Sequence, residues 1–365
     1  MLNRQKKSGI TKIGIRIYND LMTYIYIVYA TDEEPIKEIL CFFSIYSLHN
    51  RINTKFFGIQ WQSGSFSKIG LRINKYLETE RYHFKGFPPS SKVMVVNLPQ
   101  RDEIKAHRAI SAYLKNNKST QLNPFSAAIK AEDKYLSLEK IGHSGITVPE
   151  HLLLTWEDRK SVWDKVSNFV EKYNVEILYI QPNFGTEGRE LYCCTDLSRR
   201  GFISTVILNM LQSQPVILKK GRGNVYYMKE KEKGYRQVVF RILLWVLRDK
   251  PEMDYGFLEV ADSQETAISS PEKGGSIVDW ENLYSHLYVR QASGYYSRLV
   301  LTQEEISLMK KQSEHVYYAF NKNLKNRLSL MGIDFLLEAQ NGKLIPIFLE
   351  VNPRPAGLNN IRRIL

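Results

Sequence analysis

The sequence reads Ile345-Pro346-Ile347-Phe348-Leu349-Glu350-Val351-Asn352-Pro353-Arg354-Pro355 in its last strand-like run, where a carboxylate and a carboxamide are separated by one apolar residue. Alternate side chains of a β-strand share a face, so Glu350 and Asn352 are predicted to point the same way, together with Arg354 if the flanking prolines permit. An apolar run upstream carries Asp334, and Asn341-Gly342 between the two runs is a strong hairpin signal. We therefore expect Asp334 and Glu350 to face each other across an antiparallel pair.

This pair of runs also predicts a metal site. Two carboxylates and an amide oxygen on rigid strands suit a hard cation such as Mg²⁺, which takes few protein oxygens and completes its octahedron with water and phosphate oxygens. The alternative is that Glu350 and Asn352 merely end a strand in a turn, but two buried acids without a counter-ion would be costly. The predicted metal ligands are Asp334, Glu350 and Asn352.

Composition limits the class of protein. A chain of 365 residues can form two or three domains, and its apolar runs are too short to span a bilayer. Because no signal-type apolar core follows the first residues, we expect a cytoplasmic location. Three cysteines, two of them adjacent, argue against a disulfide framework and a thiolate zinc site. The net charge of +13 indicates acidic partners, namely nucleotide phosphates, an acidic substrate, a nucleic acid or an anionic surface.

The order of apolar and polar segments predicts an α/β pattern in the first third of the chain. Residues 12–18, 24–30 and 38–46 read as strands, and residues 102–116 as a helix. Further helices are predicted at 131–141 and 156–173, and a short buried strand at 177–180.

A glycine-punctuated segment follows that short strand. Gly185 and Gly188 free the backbone for positive φ values, which let consecutive N–H groups converge on an anion, and Thr186 adds a hydroxyl donor. A strand, such a loop and a second strand would form a hairpin lid over phosphates. A plain tight hairpin would use the same glycines, and the segment is neither a P-loop nor a dinucleotide-binding fingerprint.

Read together, these segments resemble the ATP-grasp superfamily over roughly residues 120 to 360. The resemblance rests on Asn123, on Asp133-Lys134, on the Gly145–Pro149 exit, on the Pro182–Gly188 loop, and on the set Asp334, Glu350 and Asn352. More narrowly, the chain is similar to the YheC/YheD group of spore-coat-associated ATP-grasp proteins. That narrower resemblance is carried by Leu40–Ser44, the Gly58 segment, Asn123-Pro124 and Phe240–Leu244.

The resemblance implies an ATP-grasp fold of mixed α+β and α/β class. The expected domains are an N-terminal α/β domain over residues 1–122, a linker helix and small central α+β lid domain over 123–218, and a C-terminal α+β domain with an antiparallel sheet over 219–365. It also implies ATP and Mg²⁺ as cofactors. The implied reaction is ligation of a small carboxylate to an amine or thiol, amino acids or peptides among them, through an acyl phosphate.

The same resemblance assigns nucleotide contacts. Lys134 matches a lysine that contacts phosphate, with a solvated helix lysine as the alternative. The residue before Pro182 is commonly a second phosphate lysine, but here it is Gln181, which can donate a hydrogen bond without bringing charge. Arg189, Lys219 or Lys220 could replace that charge. The expected nucleotide-binding residues are Lys134, Gln181, Asn183, Gly185, Thr186, Gly188 and Lys219.

Two arginines are candidate catalytic residues. Arg241 alternates with apolar residues in a predicted strand, so it must meet either an acid of the protein or an anionic ligand, and the family strand favours the ligand. Arg354 is expected to bind a carboxylate or the transferred phosphoryl group, with a surface salt bridge as the competing interpretation.

Two other functions stay open at this stage. One is a spore-associated structural or binding protein with a retained or degenerate nucleotide site, an interpretation that Gln181 keeps open. The other is nucleic-acid binding, suggested by the basic charge and the Gly294–Arg298 run, although no recognition motif accompanies them and core packing explains the tyrosines more simply. The chain carries no Ser-His-Asp, Cys-His or His-Glu-x-x-His signature.

Overall fold

A computed structural model describes residues 23–29, 34–86, 92–95, 103–185, 190–228, 234–246, 250–262, 274–280, 286–354 and 362–364. The predicted strand at residues 12–18 lies outside this part. The helices are α1 Glu34–His49, α2 Glu103–Asn116, α3 Phe125–Glu132, α4 Lys134–Gly142, α5 Val162–Tyr173, α6 Arg200–Leu211 and α7 Gln303–Asn321. The strands are β1 Thr23–Tyr29, β2 Thr54–Gln62, β3 Ser65–Ile73, β4 Thr79–His83, β5 Lys92–Val95, β6 Thr120–Gln121, β7 His151–Leu154, β8 Leu178–Pro182, β9 Tyr192–Cys194, β10 Val216–Lys220, β11 Val225–Tyr227, β12 Arg236–Trp245, β13 Glu252–Val260, β14 Ser276–Val278, β15 Leu287–Arg290, β16 Tyr296–Leu299, β17 Leu330–Gln340, β18 Lys343–Asn352 and β19 Arg362–Arg363.

The first sheet has the order β4-β3-β2-β1-β5-β6. Its strands β2, β1, β5 and β6 are parallel, while β2, β3 and β4 form an antiparallel meander. The helices α1 and α2 are the crossovers that parallel neighbours require. The predicted α/β pattern is therefore confirmed for this part of the chain.

The predicted strand at residues 38–46 is wrong, because this segment forms most of α1. Its aromatic and branched residues suggested a strand. Its buried side chains, however, recur at Ile36, Ile39, Leu40 and Phe43, the spacing of one helix face. Packing of that face on the sheet outweighs the weak local preference for strand.

The second sheet, in the order β7-β10-β8-β9, is wholly antiparallel and is covered by α5 and α6. The predicted strand at 177–180 is confirmed as β8. The predicted helix at 156–173 consists of a short 3-10 helix at Trp156–Lys160 followed by α5. The predicted helix at 131–141 is likewise divided at Asp133, whose side chain accepts the Leu136 N–H and so caps α4.

The third sheet, in the order β14-β13-β12-β11-β15-β16, is joined by β17 and β18 beside β12 and by β19 beside β13. One face packs against α3, α4 and α7 in the largest core of the molecule. The opposite face is divided along β12. Leu243 and Trp245 pack against the aromatic side of α1, whereas Arg241 and Val239 lie beyond that cover. This second face therefore changes from apolar to charged and back to apolar within a few residues.

No helix in the described ranges is long and apolar enough to cross a membrane.

Candidate active site

The charged segment of this face is built on the β17–β18 hairpin. In the antiparallel register, Asp334 lies opposite Glu350 and Gly332 lies opposite Asn352. The turn residues Asn341 and Gly342 have φ values of 51° and 75°, as a tight hairpin turn requires. The predicted hairpin and the predicted Asp334–Glu350 pairing are both confirmed.

Arg241 lies opposite Asp334 on the neighbouring strand and binds it with two parallel hydrogen bonds. Nε donates to Oδ1 at 2.7 Å and Nη2 donates to Oδ2 at 2.6 Å. The remaining Nη1 lies 2.8 Å from Oε1 of Glu259 on β13. Burial disfavours the charged guanidinium, but these two carboxylates outweigh it and raise the pKa of Arg241 above its ordinary value. Arg241 therefore meets acids of the protein, the first of the two partners that the sequence left open.

Asn352 completes this network, because its Nδ2 donates to Oδ2 of Asp334 at 3.1 Å. Because the amide nitrogen makes this hydrogen bond, the amide oxygen of Asn352 is left as an acceptor for another group. Asp334 is almost fully buried and receives hydrogen bonds on both oxygens.

Glu350 has a different environment from Asp334. Its Oε2 lies 3.8 Å from the Lys134 ammonium, and its side chain remains about a quarter exposed at 28%. Burial would raise the pKa of Glu350, but the charges of Lys134 and Lys219 outweigh it and hold that pKa below its usual value. Glu350 is thus an ionised carboxylate open to the surroundings.

Lys219 enters this cluster from the second sheet. Burial lowers the pKa of its ammonium to about 8, Lys134 adds to the effect, and Glu350 opposes it. In the antiparallel register, Ile217 lies opposite Gln181 and Lys219 opposite Tyr179, so Gln181 and Lys219 share one sheet face. Lys220 points elsewhere, since its Nζ donates to the carbonyl of Tyr173.

Gln181 is buried on this shared face, with an exposed fraction of 7%, and its Nε2 has no hydrogen-bond partner in the described part of the chain. A buried amide donor is normally satisfied, and leaving one unpaired is costly. An orphaned donor beside a buried cation is the arrangement expected where a ligand supplies the acceptor.

The segment after β8 is held to the linker helices. Asn183 receives the Tyr135 N–H on its Oδ1 at 2.9 Å and donates from Nδ2 to Asp133 at 3.0 Å. Lys134 donates from Nζ to the carbonyl of Gly185, whose φ is 139°. The side chain of Asn183 is therefore engaged in joining this segment to α4. Thr186, Gly188 and Arg189 lie outside the described residues, whereas β8 and β9 pair as the predicted hairpin requires.

Arg354 is buried at the end of β18. It forms an ion pair with Glu132 and donates from Nη1 to Nδ1 of His107 at 2.8 Å. The competing interpretation predicted a salt bridge at the surface. Arg354 does form a salt bridge, but a buried one, because its side chain is only 2% exposed. His107, Glu132 and Glu259 are not marked by any sequence pattern, since each comes from a segment whose neighbours depend on tertiary packing.

A cleft opens beside these residues and encloses about 310 Å³ of non-atom space, open solvent included. It lies between the end of β18, the linker helices α3 and α4, and the segment after β8. Its lining is mainly charged and polar at the Glu350 end. Its lining includes Glu132, Lys134, Gly185, Glu350, Asn352 and Arg354.

An apolar patch adjoins the charged cluster on the same face of the third sheet. Val239, Leu336 and Ile347 form its buried centre, and Ile345 and Leu349 pack around it. We call these five residues the apolar patch. Its members alternate with core residues along β12, β17 and β18, so the sequence pattern does not distinguish them from the core.

The donor set fits a hard divalent cation. The oxygens of Glu350, Asn352 and Asp334 are on adjacent positions of two strands, and Glu350 is ionised and accessible. No group of three or more His, Cys, Asp or Glu side chains within the described ranges could hold a metal ion. An amide oxygen and ligand or water oxygens would therefore have to complete the coordination.

No protein-family model and no curated protein matches the sequence. Solved structures are similar in fold. D-alanyl-alanine synthetase A from Vibrio cholerae is 15% identical, with 92% of this chain and 90% of that chain covered and a TM-score of 0.53. VanG D-Ala:D-Ser ligase from Enterococcus faecalis is 10% identical, with 92% and 91% covered and a TM-score of 0.54. The D-cycloserine synthetase DcsG is 13% identical, with 92% and 93% covered and a TM-score of 0.53.

These similarities extend over nearly the whole chain. At such low identity they concern the fold alone. The chain therefore has the ATP-grasp fold that its sequence predicted.

Proposed function

We propose that this chain is an ATP- and Mg²⁺-dependent ligase that joins a small carboxylate to an amine or thiol through an acyl phosphate. The observation that carries the proposal is the composition of one region, where an ionised carboxylate of β18, a buried lysine of α4, and a buried lysine and an orphaned amide donor of the second sheet lie near the apolar patch. Nucleotides combine an apolar base with a polyanionic tail, and this region offers both environments side by side.

The apolar patch is the proposed seat of the adenine ring. Val239, Leu336 and Ile347 would bury one face of the base. From there the triphosphate would extend toward Lys219, Gln181 and Lys134, which supply two charges and one neutral donor. Lys134 is also tied to the Gly185 carbonyl, so the segment after β8 would move together with the phosphate-binding lysine.

Glu350, Asn352 and Asp334 are the proposed metal ligands. When bound, Mg²⁺ would neutralise charge on the transferring phosphoryl group and orient its oxygens. The role of Arg241 is to compensate the buried charge of Asp334 and hold that carboxylate in place. In this proposal Glu350 exchanges Lys134 for the metal ion when the nucleotide and Mg²⁺ bind.

The chemistry requires little covalent participation by the protein. A substrate carboxylate oxygen attacks the γ-phosphorus, and the bond to the ADP oxygen breaks. An amine nitrogen or thiol sulfur then attacks the acyl carbon, loses its proton and displaces phosphate. The side chains described here would contribute position and charge, which are the main sources of catalysis in phosphoryl transfer. Arg354 lines the Glu132 end of the cleft, and in this proposal it would contact the transferred group.

The class of substrate is the finer part of the proposal. Two of the similar structures carry names that refer to D-alanine or to D-alanine and D-serine, and the third is a D-cycloserine synthetase. We propose amino acids or short peptides as the carboxylate and amine. Membership of the YheC/YheD group and a cytoplasmic or spore-associated location stay predictions from the sequence.

A binding protein with a decayed nucleotide site was the alternative. This alternative was suggested by Gln181, which stands where a phosphate-binding lysine is common. The Gln181 side chain nevertheless has a donor near Lys219 that no described residue accepts, and Lys134, Glu350 and Asn352 line the cleft. No observation favours the alternative specifically.

Calorimetry with ATP in Mg²⁺ and in EDTA tests the first half of the proposal. We expect saturable binding that strengthens with Mg²⁺. A screen of carboxylate and amine pairs for ADP release tests the second half, with each carboxylate alone as the control. A protein that binds no adenine nucleotide under either condition would contradict the proposed function.

A further inference from the structure

Arg354 is held from two sides at the inner end of the cleft. Glu132, the last residue of α3, forms an ion pair with its guanidinium. On the other side, Nη1 donates to Nδ1 of His107, which belongs to α2 in the N-terminal part of the chain. A surface arginine keeps much of its rotamer freedom, so two fixed partners indicate that the direction of this guanidinium matters.

The imidazole of His107 is set in one form by its other contact. The side chain is fully buried, and its Nε2 lies 3.0 Å from the carbonyl oxygen of Asn123. A carbonyl oxygen can only accept, so Nε2 carries the proton and Nδ1 is left as an acceptor for Arg354. Burial, followed by the charge of Arg354, lowers the pKa of His107 to about 3, against the smaller opposing effect of the Asn123 carbonyl. The ring is therefore neutral when it receives the guanidinium.

Asn123 fixes the backbone of the same region. Its Nδ2 donates to the carbonyls of Pro353 and Leu330, and its Oδ1 accepts the N–H groups of Ser329 and Leu330. Asn123, which contacts His107, thus also binds Pro353 and the beginning of β17. Backbone and side chain of Arg354 are positioned by one connected network.

We propose that His107 is a positioning residue that directs the Arg354 guanidinium toward the terminal phosphoryl group of the nucleotide. This inference rests on the proposed function and names the part of the N-terminal segment that completes the site. A neutral acceptor suits this role, since it fixes the guanidinium without cancelling its charge. Glu132 already neutralises part of that charge, and a second carboxylate would leave little for a ligand.

The test is a double-mutant cycle read by calorimetry with MgADP, alone and with aluminium fluoride as a planar mimic of the phosphoryl group. His107→Leu and Arg354→Met should each weaken binding of the ADP–aluminium fluoride complex by at least about tenfold, while binding of MgADP alone changes by less than about twofold. In the Arg354→Met background, His107→Leu should cause no further loss. A His107→Leu loss of the same size in both backgrounds, or no loss in the folded variant, would overturn the proposal.

Nitrogen-15 NMR of histidine-labelled protein supplies a readout that needs neither a nucleotide nor a folded His107→Leu variant. His107 should stay neutral with the proton on Nε2 from pH 5 to pH 8, and Arg354→Met should shift its Nδ1 resonance. A resonance that titrates near pH 6.5, or that ignores Arg354→Met, would contradict the inference. A wild-type protein that fails to bind MgADP would refute the proposed function, whereas this NMR result would still decide whether His107 holds Arg354.

Discussion

Asp334 and Glu350 lie directly opposite each other on β17 and β18, yet their carboxylates have different partners. Asp334 receives Arg241 on both oxygens, whereas Glu350 faces the Lys134 ammonium at 3.8 Å beside the cleft. Asp334 therefore compensates a buried arginine, whereas Glu350 is the carboxylate that faces the cleft. Substitution of each residue should have a distinct effect.

Glu350→Gln should impair ligand binding and leave the fold intact. Its charge is compensated by Lys134 and Lys219, and its removal takes an oxygen ligand of full charge from the proposed metal site. We expect Mg²⁺-dependent ATP binding to weaken by at least about tenfold, roughly 1.4 kcal/mol. Calorimetry in Mg²⁺ and EDTA measures this, with the exposed Glu304→Gln as a matched control. Unchanged metal-dependent binding would remove Glu350 from the site.

Asp334→Asn should instead destabilise the protein. It leaves the buried Arg241 with Glu259 as its remaining carboxylate in the described structure. Breaking a buried ion pair by removal of one partner costs on the order of 3–5 kcal/mol, and Glu259 should hold the loss toward the lower limit. Denaturant unfolding measures the change. A stability equal to that of Glu350→Gln would show that the two carboxylates are equivalent.

Gly185→Ala should be destabilising through the backbone alone. A Cβ there would meet nothing within 4 Å, but φ is 139°, which side chains other than glycine rarely tolerate. The cost should be about 1–3 kcal/mol, and the Gly185 carbonyl should lose its contact with Lys134. Gly201→Ala in α6 is the control, since it too has open space and no positive φ. That change should raise the unfolding free energy by up to about 1 kcal/mol. Equal effects at both positions would contradict the assigned backbone conformation.

Gln181→Leu should change stability and binding in opposite directions. The orphaned Nε2 is a buried cost of about 1–3 kcal/mol in the ligand-free protein, which an apolar side chain of similar length removes. Thermal unfolding without nucleotide should therefore shift upward, and ATP affinity measured by calorimetry should fall. A fall in both quantities would mean that Gln181 has a structural role only.

His107 should make the protein acid-sensitive. Its folded pKa of about 3 lies below the ordinary value of 6.5, so the unfolded chain binds more protons between these two pH values. Unfolding free energy should then fall as the pH drops below 6.5, by roughly 1.4 kcal/mol per pH unit from this residue. Denaturant titrations from pH 7.5 to pH 5 should show a smaller loss for His107→Gln than for the wild type. The exposed His143→Gln, measured over the same pH range, is the matched surface substitution.

Elements that are determined by neighbouring residues could be predicted from the sequence, whereas elements that depend on tertiary packing could not. The β17–β18 hairpin was predictable because Asn341-Gly342 fixes the turn and the alternation fixes the register. The strand predicted at residues 38–46 is wrong, because its aromatic and branched residues favour a strand locally whereas Ile36, Ile39 and Phe43 have the spacing of one buried helix face. The composition of a few neighbouring residues favours a strand there, but packing against the sheet favours the helix.

The contacts of the site were less predictable than its residues. Arg241 could be recognised as a buried cation, but Glu259 becomes its neighbour only because β13 pairs with β12. His107 belongs to an ordinary amphipathic helix, and nothing nearby in the chain marks it as a partner of Arg354. Such pairings are fixed by strand order and helix docking, which single-sequence patterns do not encode.

The Asn123 network has a consequence for how the chain is made. Its side chain is satisfied by residues 207 and 230 positions further along, and His107 by one 247 positions away. During synthesis, domains fold from the N-terminus as they leave the ribosome. The N-terminal sheet would then form long before the acceptors of Asn123 exist, and the cleft would stay incomplete until β18 and Pro353 had emerged. A chain interrupted before Pro353 would therefore present its unpaired polar groups to chaperones and proteases.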